Sequence, residues 1–324
     1  MKLFRRALLV LPAFALAFTL LYTAPAFPYL PEIGQKSPLS IAHWSSAPTW
    51  RINKTIGSNV LGTSDPTSVI ATSFNTWKAA PNVSSAVSGV VQGAETSITS
   101  ASASDGINLI CFVCSSNAFG SGGDTLAVTL TSFNTSSGQI TDSDLLFNPA
   151  DDFLTNNATC PSGATCADLQ TVATHEIGHF FGLDHSGVTS AIMFPFAPEV
   201  QIQLSWDDVA GISNTYPTST STIATGKISG KISNSSSAGI CGIHVFAESN
   251  TLAVTGYPSP VRRSPIGVMT LSDGTYTITG LPPDTYSVTA EPLDGPVDNT
   301  NVSDYANTMC GSSTLLTNFT TRTF

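Results

Sequence analysis

Apolar positions recur at helical spacing in three stretches of the chain. In the first, Asp65-Pro66 can cap and begin a helix whose apolar stripe ends near Pro81. The second is stopped by Gly182, because glycine readily adopts the left-handed conformation found after helix ends. In the third, acidic residues occupy the first turn, where they interact favourably with the helix dipole. The predicted helices run from Pro66 to near Pro81, from Leu169 to Phe181 and from Ser205 to Ser213.

Alternating or compact apolar runs predict strands in the same part of the chain. The expected strands are Thr49–Asn53, Ile107–Val113, Thr125–Leu130 and Ile140–Phe147. Between Pro81 and Asp105 the sequence is rich in Ser, Ala and Gly, and we assign no element there.

The pattern changes after Tyr216. A Ser/Thr-rich stretch at residues 218–226 is typical of a linker, and alternation then dominates residues 227–324. No helix is expected in this second part, so we predict an all-β sandwich of about 100 residues. The first part, with helices and strands, is predicted to be an α+β domain at residues 42–217, preceded by a short lead at residues 27–41.

The N-terminus has the composition of a secretory signal peptide at residues 1–26. Basic residues precede an apolar run from Ala7 to Leu21, and Ala24-Pro-Ala26 follows as a cleavage site. The run is shorter than the roughly 20 residues that span a bilayer. Cleavage would lower the formal net charge of −10 by three, because three cations are removed. Such an acidic chain argues against nucleic acid and anionic membranes as partners.

Six cysteines in an exported chain suggest disulfides, although six allow 15 pairings. Proximity favours Cys160–Cys166, and a Cys241–Cys310 bridge would then close the C-terminal part. Cys111 and Cys114 lie on a strand-like run, which is not the setting of a redox-active pair.

The run from His175 to His185 carries metal-binding chemistry. It reads His-Glu-Ile-Gly-His-Phe-Phe-Gly-Leu-Asp-His. On a helix, His175 and His179 share one face and can bind one ion together. Gly182 ends that helix and permits the positive-φ turn that brings back His185. Three neutral imidazoles form the ligand set of a catalytic zinc site whose fourth position is left for water.

Glu176 is the candidate general base. It follows His175 directly and is expected beside the open position of the metal. Zinc lowers the pKa of water towards about 7. A carboxylate can take the proton released and pass it to a leaving amine.

The segment from His175 to Pro195 resembles the metzincin metallopeptidases, and within them the matrixins. After the third histidine the chain continues with Ser186, four residues, and Ala-Ile-Met-Phe-Pro, in agreement with the matrixin pattern. The resemblance implies that Met193 is the methionine of the Met-turn beneath the metal. It also implies that Pro195 and Phe196 wall the S1′ pocket.

The resemblance extends over about Ala42–Pro217. Leu204–Tyr216 resembles the final matrixin helix, and Ile140–Asn148 resembles the edge-strand region of bacterial matrixin-like domains. The implied catalytic domain has a twisted mixed sheet, an active-site helix and a C-terminal helix. Residues 273–290 resemble the carboxypeptidase-regulatory-like, transthyretin-type sandwiches, which carry no chemistry of their own.

Two features differ from the usual matrixin pattern. No cysteine lies between Phe27 and Ile110, so we expect no cysteine switch. The two remaining histidines, His43 and His244, are far apart in sequence, so we expect one zinc ion. Calcium is a further candidate cofactor. Its possible oxygen donors, which could equally be solvated loop acids, are Asp124, Asp142, Asp144, Asp151 and Asp152.

These observations predict a secreted, extracellular or periplasmic zinc endopeptidase that acts as a monomer on protein or peptide substrates, without nucleic acid and without stable membrane insertion. The alternative is a cell-surface or secreted binding or adhesion protein whose metzincin domain is vestigial. We expect all of the chemistry to lie before the linker, with nothing from Gly226 onward needed for it.

Overall fold

The computed structural model of the chain describes most residues from Leu30 onward. The described ranges are 30–36, 39–102, 105–119, 125–156, 158–196, 200–251, 257–293, 295, 297–298, 300–311 and 315–324. The predicted signal peptide and Asp124 lie outside them. In the described part of the chain, every helix is too short or too polar to cross a bilayer.

The helices follow the sequence pattern closely. They are α1 (Pro66–Lys78), α2 (Ser85–Ser88), α3 (Leu169–Phe180), α4 (Trp206–Thr215) and α5 (Ser303–Tyr305), with a 3-10 turn at Asn117–Phe119 and a π-helical turn at Ala306–Cys310. Each of the three long helices has a side-chain cap. Asp65 accepts the Thr67 N–H at the start of α1, and Asp168 accepts the Thr171 N–H at the start of α3.

Sixteen strands are found in the described ranges. They are β1 (Ile33–Lys36), β2 (Leu39–Ile41), β3 (Thr49–Ile52), β4 (Val60–Leu61), β5 (Val91–Gln92), β6 (Asn108–Cys111), β7 (Ala127–Phe133), β8 (Ile140–Phe147), β9 (Asp152–Leu154), β10 (Cys166–Asp168), β11 (Gly226–Lys231), β12 (His244–Ser249), β13 (Ile266–Met269), β14 (Thr275–Leu281), β15 (Tyr286–Glu291) and β16 (Arg322–Thr323).

The main sheet of the first part has the order β5-β3-β6-β8-β7. Its first four strands are parallel, and β7 is antiparallel to β8. Thus β7 is the edge strand next to β8, and β5 is the edge strand on the other side. The segment Ile140–Asn148, which resembles the edge-strand region of bacterial matrixin-like domains, forms β8, the second strand from the edge. Helix α3 packs against β7 and against α1, where the indole N–H of Trp77 donates to the carbonyl of Thr174 at 2.8 Å.

The second part has two antiparallel sheets that contact each other. One pairs β11 with β14, and the other has the order β13-β12-β15-β16. The expectation of no helix is wrong here, because α5 and the π-helical turn follow. Val302, Tyr305, Ala306 and Met309 are buried, and their i, i+3, i+4 spacing is that of one helical face.

The two parts share one hydrophobic core. A single cluster of buried residues runs from Trp50 and Phe180 in the first part to Ile243 and Ile278 in the second. Helix α4 forms much of the contact, because it packs against both β13 and β14. A second cluster joins Leu30 of the N-terminal lead to residues of the C-terminal part, including Val302. The β part is therefore fused to the first part through packed apolar surface.

The predicted linker is held in place along its length. Asn82 accepts the backbone N–H groups of Thr222 and Ile223, and its amide donates to the Ile223 carbonyl at 2.8 Å. Pro217 forms a bridge with Val83. The Ser/Thr-rich composition therefore does not correspond to a free tether.

All six cysteines are in disulfides. The pair Cys160–Cys166 is the one that proximity favoured, and Cys241–Cys310 is the bridge expected to close the C-terminal part. Cys111 and Cys114 form the third bridge.

Candidate metal centre

Three histidines converge at the C-terminal end of α3. Their ligand atoms all lie within 4.8 Å of one another, and no other group of three or more metal-binding side chains is found in the described ranges. His175 and His179 are four residues apart on α3, with their Nε2 atoms 3.2 Å apart. His185 comes from the turn that follows the helix, and its ring centroid is 4.8 Å from that of His179.

Gly182 makes the turn that brings in the third histidine. Its φ is +80°, in the left-handed region that favours glycine. A Cβ at this position would come within 2.3 Å of the carbonyl oxygen of Ala42. Its N–H donates to the His179 carbonyl at 2.8 Å, which closes the end of α3. The turn therefore needs a residue that adopts positive φ and has no side chain, and glycine meets both requirements.

Each histidine has a carbonyl acceptor for its Nδ1 atom. The acceptors are Ile192 for His175 and Leu183 for His179, both at 2.7 Å. The third histidine, His185, lies 3.1 Å from the carbonyl oxygen of Asn301. With Nδ1–H donated to a carbonyl, the tautomer of each ring leaves the Nε2 lone pair available to a metal.

Burial favours the neutral form of these rings. It is the main cause that lowers the pKa of His175 and of His179, and it lowers the pKa of His185 to about 4. The mutual repulsion of the three rings acts in the same direction on His179 and His185. The imidazoles are therefore uncharged at neutral pH, as metal ligands must be. Three convergent neutral imidazoles fit a zinc ion that keeps an open position.

Glu176 is buried beside His175 on α3. The hydroxyl of Thr129, on the edge strand β7, lies 2.7 Å from its Oε2 atom. Burial raises the pKa of Glu176 to about 7, and the hydrogen bond from Thr129 partly offsets this rise. A carboxyl group whose pKa is near neutrality can both accept and return a proton.

Met193 packs against Gly178, which lies between the two helical histidines in the sequence. It is buried, and a Cβ at Gly178 would come within 2.1 Å of its sulfur, so the glycine in the His-Glu-Ile-Gly-His run allows this contact. The carbonyl of Met193 accepts the N–H of Ser186 at 2.8 Å. The turn at Met193 is thereby bonded to the residue after the third histidine.

Asp208 connects helix α4 to the turn at Met193. One carboxylate oxygen accepts the N–H of Met193 at 3.1 Å, and the other accepts that of Ile192 at 2.9 Å. The same carboxylate closes a capping box with Ser205 at the start of α4. Because the Ile192 carbonyl holds His175, Asp208 supports the first histidine through the turn. The sequence motif Ser-x-x-Asp could have revealed the cap, but not this second contact.

Asp207 connects the site to the C-terminal part. Its Oδ2 accepts the hydroxyl of Ser186 at 2.7 Å, and its Oδ1 accepts the N–H of Gly267 in β13 at 2.8 Å. Burial and the neighbouring Asp208 raise the pKa of Asp207 to about 8. The sequence alone indicates only a role for this residue at the helix N-terminus.

The candidate S1′ residues follow the turn at Met193. Phe196 is 47% exposed, and its ring centroid lies 5.9 Å from that of Phe194. Pro195 between them is half-buried. Residues 197–199 lie outside the described ranges.

The candidate calcium donors do not form a group with three or more metal-binding side chains in the described ranges. Asp142 and Asp144 are buried in β8 rather than placed on a loop. Asp144 accepts the N–H groups of Ser102 and Leu109, which gives it a structural role. Calcium binding stays a prediction.

The sequence of the first part decides its family. The model of the matrixin family, peptidase M10, matches residues 43–217, which is more than half of the chain. The chain belongs to the matrixin family. This range agrees with the extent of the resemblance found in the sequence, and the family assignment supports classification as a zinc metalloendopeptidase.

Individual matrixins are similar over a shorter segment. Metalloendoproteinase 5-MMP of Arabidopsis thaliana is 48% identical over 54 residues, covering 16% of this chain and 15% of that protein. Karilysin of Tannerella forsythia is 47% identical over 49 residues, covering 15% and 10%. Human matrix metalloproteinase-26 is 48% identical over 52 residues, covering 15% and 20%. The chain thus spans less than a fifth of the length of the first two relatives.

Proposed function

We propose that this matrixin is a secreted zinc-dependent endopeptidase that hydrolyses internal peptide bonds of proteins or peptides. The observation that carries the proposal is the convergence of His175, His179 and His185 beside the buried carboxyl group of Glu176. We assign the three histidines as the zinc ligands and Glu176 as the general base.

The residues divide the chemistry between them. When bound, zinc supplies a Lewis acid that polarises a peptide carbonyl and lowers the pKa of water. Glu176 accepts the proton of the attacking water and returns it to the leaving amine. Thr129 orients the carboxyl group for this transfer. Burial of Glu176 favours its protonated form, which suits the return of the proton to the leaving amine.

Substrate contacts are assigned to the segment after the turn at Met193. Pro195 and Phe196 are proposed to wall the S1′ pocket, since Phe196 presents an exposed aromatic ring next to Phe194. An apolar rim of this kind favours an apolar side chain after the scissile bond.

The other parts of the proposal rest on the sequence. Secretion follows from the predicted signal peptide, and the β part with its two sheets is proposed to be a transthyretin-type sandwich. We propose one zinc ion per chain and a monomeric state.

The test compares two variants with the parent protein. Glu176→Ala should keep about one zinc per chain and lose roughly 10²–10⁴-fold in kcat on a peptide library. His185→Ala, which removes a proposed ligand, should lose zinc as well as activity. Elemental analysis after dialysis separates the two cases. Loss of zinc from Glu176→Ala would contradict the role assigned to it. Equal activity of that variant and the parent would favour the binding-protein alternative.

A further inference from the structure

The turn that carries the third histidine is held by segments from both ends of the described chain. On one side, the Asp184 N–H donates to the Leu30 carbonyl at 2.7 Å, and the Glu32 N–H donates to the Gly182 carbonyl at 3.1 Å. On the other side lies the carbonyl of Asn301, which is 116 residues beyond the histidine that it contacts. The turn is therefore completed by residues outside the part matched to the family.

The Asn301 carbonyl is the acceptor that the ring of His185 can use. The O···Nδ1 distance is 3.1 Å. The carboxylate of Asp184 is 3.8 Å from the same nitrogen, which is too far for a hydrogen bond, and its Oδ1 accepts the His185 N–H at 2.7 Å. His175 and His179 receive their acceptors from the peptidase domain itself. The third histidine differs, because its acceptor comes from the β part.

The loop that presents this carbonyl is tightly built. Asp298 accepts the N–H of Thr300 at 2.8 Å, and its own N–H donates to the side-chain oxygen of Asn301 at 3.0 Å. The next residue, Val302, is fully buried. Helix α5 follows at once, and the Tyr305 hydroxyl there lies 3.1 Å from the carbonyl oxygens of Met269 and Thr270 in the β part. The carbonyl is thus fixed by contacts on both sides of it.

We propose that Asn301 is a positioning residue of the metal centre: its main-chain carbonyl holds the ring of His185 with Nε2 facing the zinc. This inference rests on the proposed zinc function. It makes the C-terminal part a contributor to the metal site, in contrast to the sequence-based expectation that nothing beyond Gly226 is needed. The contact between Asn301 and His185 argues against that expectation, which the experiment below tests.

The effect should appear first in metal affinity. Groups that hold the second nitrogen of a ligating histidine fix its ring and tautomer, and their loss typically costs 10–100-fold in affinity. Asn301→Ala keeps the peptide carbonyl but removes the side-chain acceptor of the Asp298 N–H, so the loop loses one of its bonds. Asp298→Ala removes the bonds to Thr300 instead. Two independent changes thus loosen the same carbonyl.

A matched control exists in the same β part. Asn234 accepts the backbone N–H groups of Ser236 and Ala238 at 3.0 Å, in a turn of the same kind. Its hydrogen bonds are to neighbouring residues of the same turn, and none of them involves a histidine. Asn234→Ala should therefore remove the hydrogen bonds of this turn without changing the affinity for zinc.

The experiment measures the zinc dissociation constant of the complete protein by competition with a chromophoric chelator, and the absorption spectrum of the cobalt-substituted form. Asn301→Ala and Asp298→Ala should weaken zinc binding about tenfold and change the cobalt spectrum, whereas Asn234→Ala should match the parent. Thermal unfolding of the metal-free proteins identifies a variant that fails to fold, in which case the other variant decides.

Parent-like affinity and spectrum in a folded Asn301→Ala or Asp298→Ala protein would overturn the proposal, as would an equal loss in Asn234→Ala. A parent protein that binds zinc but cleaves no peptide would contradict the proposed function alone, because the affinity comparison does not depend on cleavage.

Discussion

The hydroxyl of Thr129 on the edge strand lies 2.7 Å from the Oε2 atom of Glu176. The same hydroxyl oxygen is 3.0 Å from the main-chain carbonyl of Glu176. The strand at the edge of the sheet therefore fixes the position of the proposed general base, and a single side chain provides the connection.

Replacing Thr129 with Val should slow the chemical step. Valine has the same shape but no hydroxyl, so the carboxyl group loses its side-chain partner. We expect kcat to fall about tenfold with KM changed by less than about twofold, because the lost contact orients the base rather than the substrate. Steady-state kinetics on one short peptide measure both constants. Thr129→Ser, which keeps a hydroxyl, should recover most of the rate; if both variants are equally slow, the hydroxyl is not the reason.

Removal of the Asp208 carboxylate should destabilise the protein strongly. In Asp208→Ala, the buried N–H groups of Ile192 and Met193 lose their acceptor, at about 1–3 kcal/mol each. We expect a total loss of about 3–5 kcal/mol in the free energy of unfolding, from urea denaturation. Asp65→Ala provides the comparison, since Asp65 is an exposed N-cap whose loss should lower the free energy of unfolding by about 1 kcal/mol. Similar losses in the two variants would contradict this account.

The pH dependence of stability should contain a contribution from Asp207. Its pKa is about 8 in the folded protein, raised from 3.8 mainly by burial. The folded state therefore holds this proton more tightly than the unfolded state does. The stabilisation is complete below about pH 4 and is lost as the pH rises towards about 8.

Asp207→Asn should remove that contribution. The amide remains neutral at every pH, its oxygen can accept the Gly267 N–H, and its NH₂ group can donate to the Ser186 hydroxyl. Urea midpoints measured between about pH 5 and pH 9 should fall less steeply for the variant than for the parent. Other buried acids such as Glu176 and Asp184 affect both proteins alike. Parallel curves would show that Asp207 does not titrate in this range.

Two glycines with nearly the same φ allow the backbone cost to be separated from the steric cost. Gly163 has φ of +83° with open space around it, whereas Gly182 has φ of +80° next to the Ala42 carbonyl. Gly163→Ala should cost about 1–2 kcal/mol, the penalty of the left-handed conformation. Gly182→Ala should cost clearly more, and its zinc affinity should fall because the turn to His185 must move. Calorimetry and chelator competition give the two quantities.

Local patterns account for what could be predicted. The boundaries of β8 and the positions of α1 and α3 follow from periodicity and capping residues that lie within a few positions of each element. The histidine cluster was predictable for the same reason, since the eleven residues from His175 to His185 contain the end of the helix, the turn that follows it and all three rings. The disulfide Cys160–Cys166 is likewise a local feature.

Contacts between distant segments were not predictable. Nothing in the sequence around Asn301 relates its carbonyl to His185, because any residue type has a carbonyl and only the fold brings the two together. The same holds for the Gly267 N–H and Asp207. By contrast, the helical turn near Tyr305 did have the apolar spacing of a helix, and the alternation of the surrounding strands outweighed it. Composition likewise does not show that Asn82 forms hydrogen bonds with the predicted linker.

The packing of Leu30 and Ile33 against Val302 and Tyr305 also constrains the order of events during biosynthesis. A polypeptide emerges N-terminal end first, and domains usually fold as they appear. Here the segment around Leu30 cannot bury its apolar side chains until the segment around Val302 has been made. Contacts between residues so far apart in sequence raise the contact order, and a high contact order slows folding. The His185 turn reaches its final packing only after the residues near Asn301 have been made. The proposed metal site is therefore completed only after strands β11 to β15 of the β part have been made.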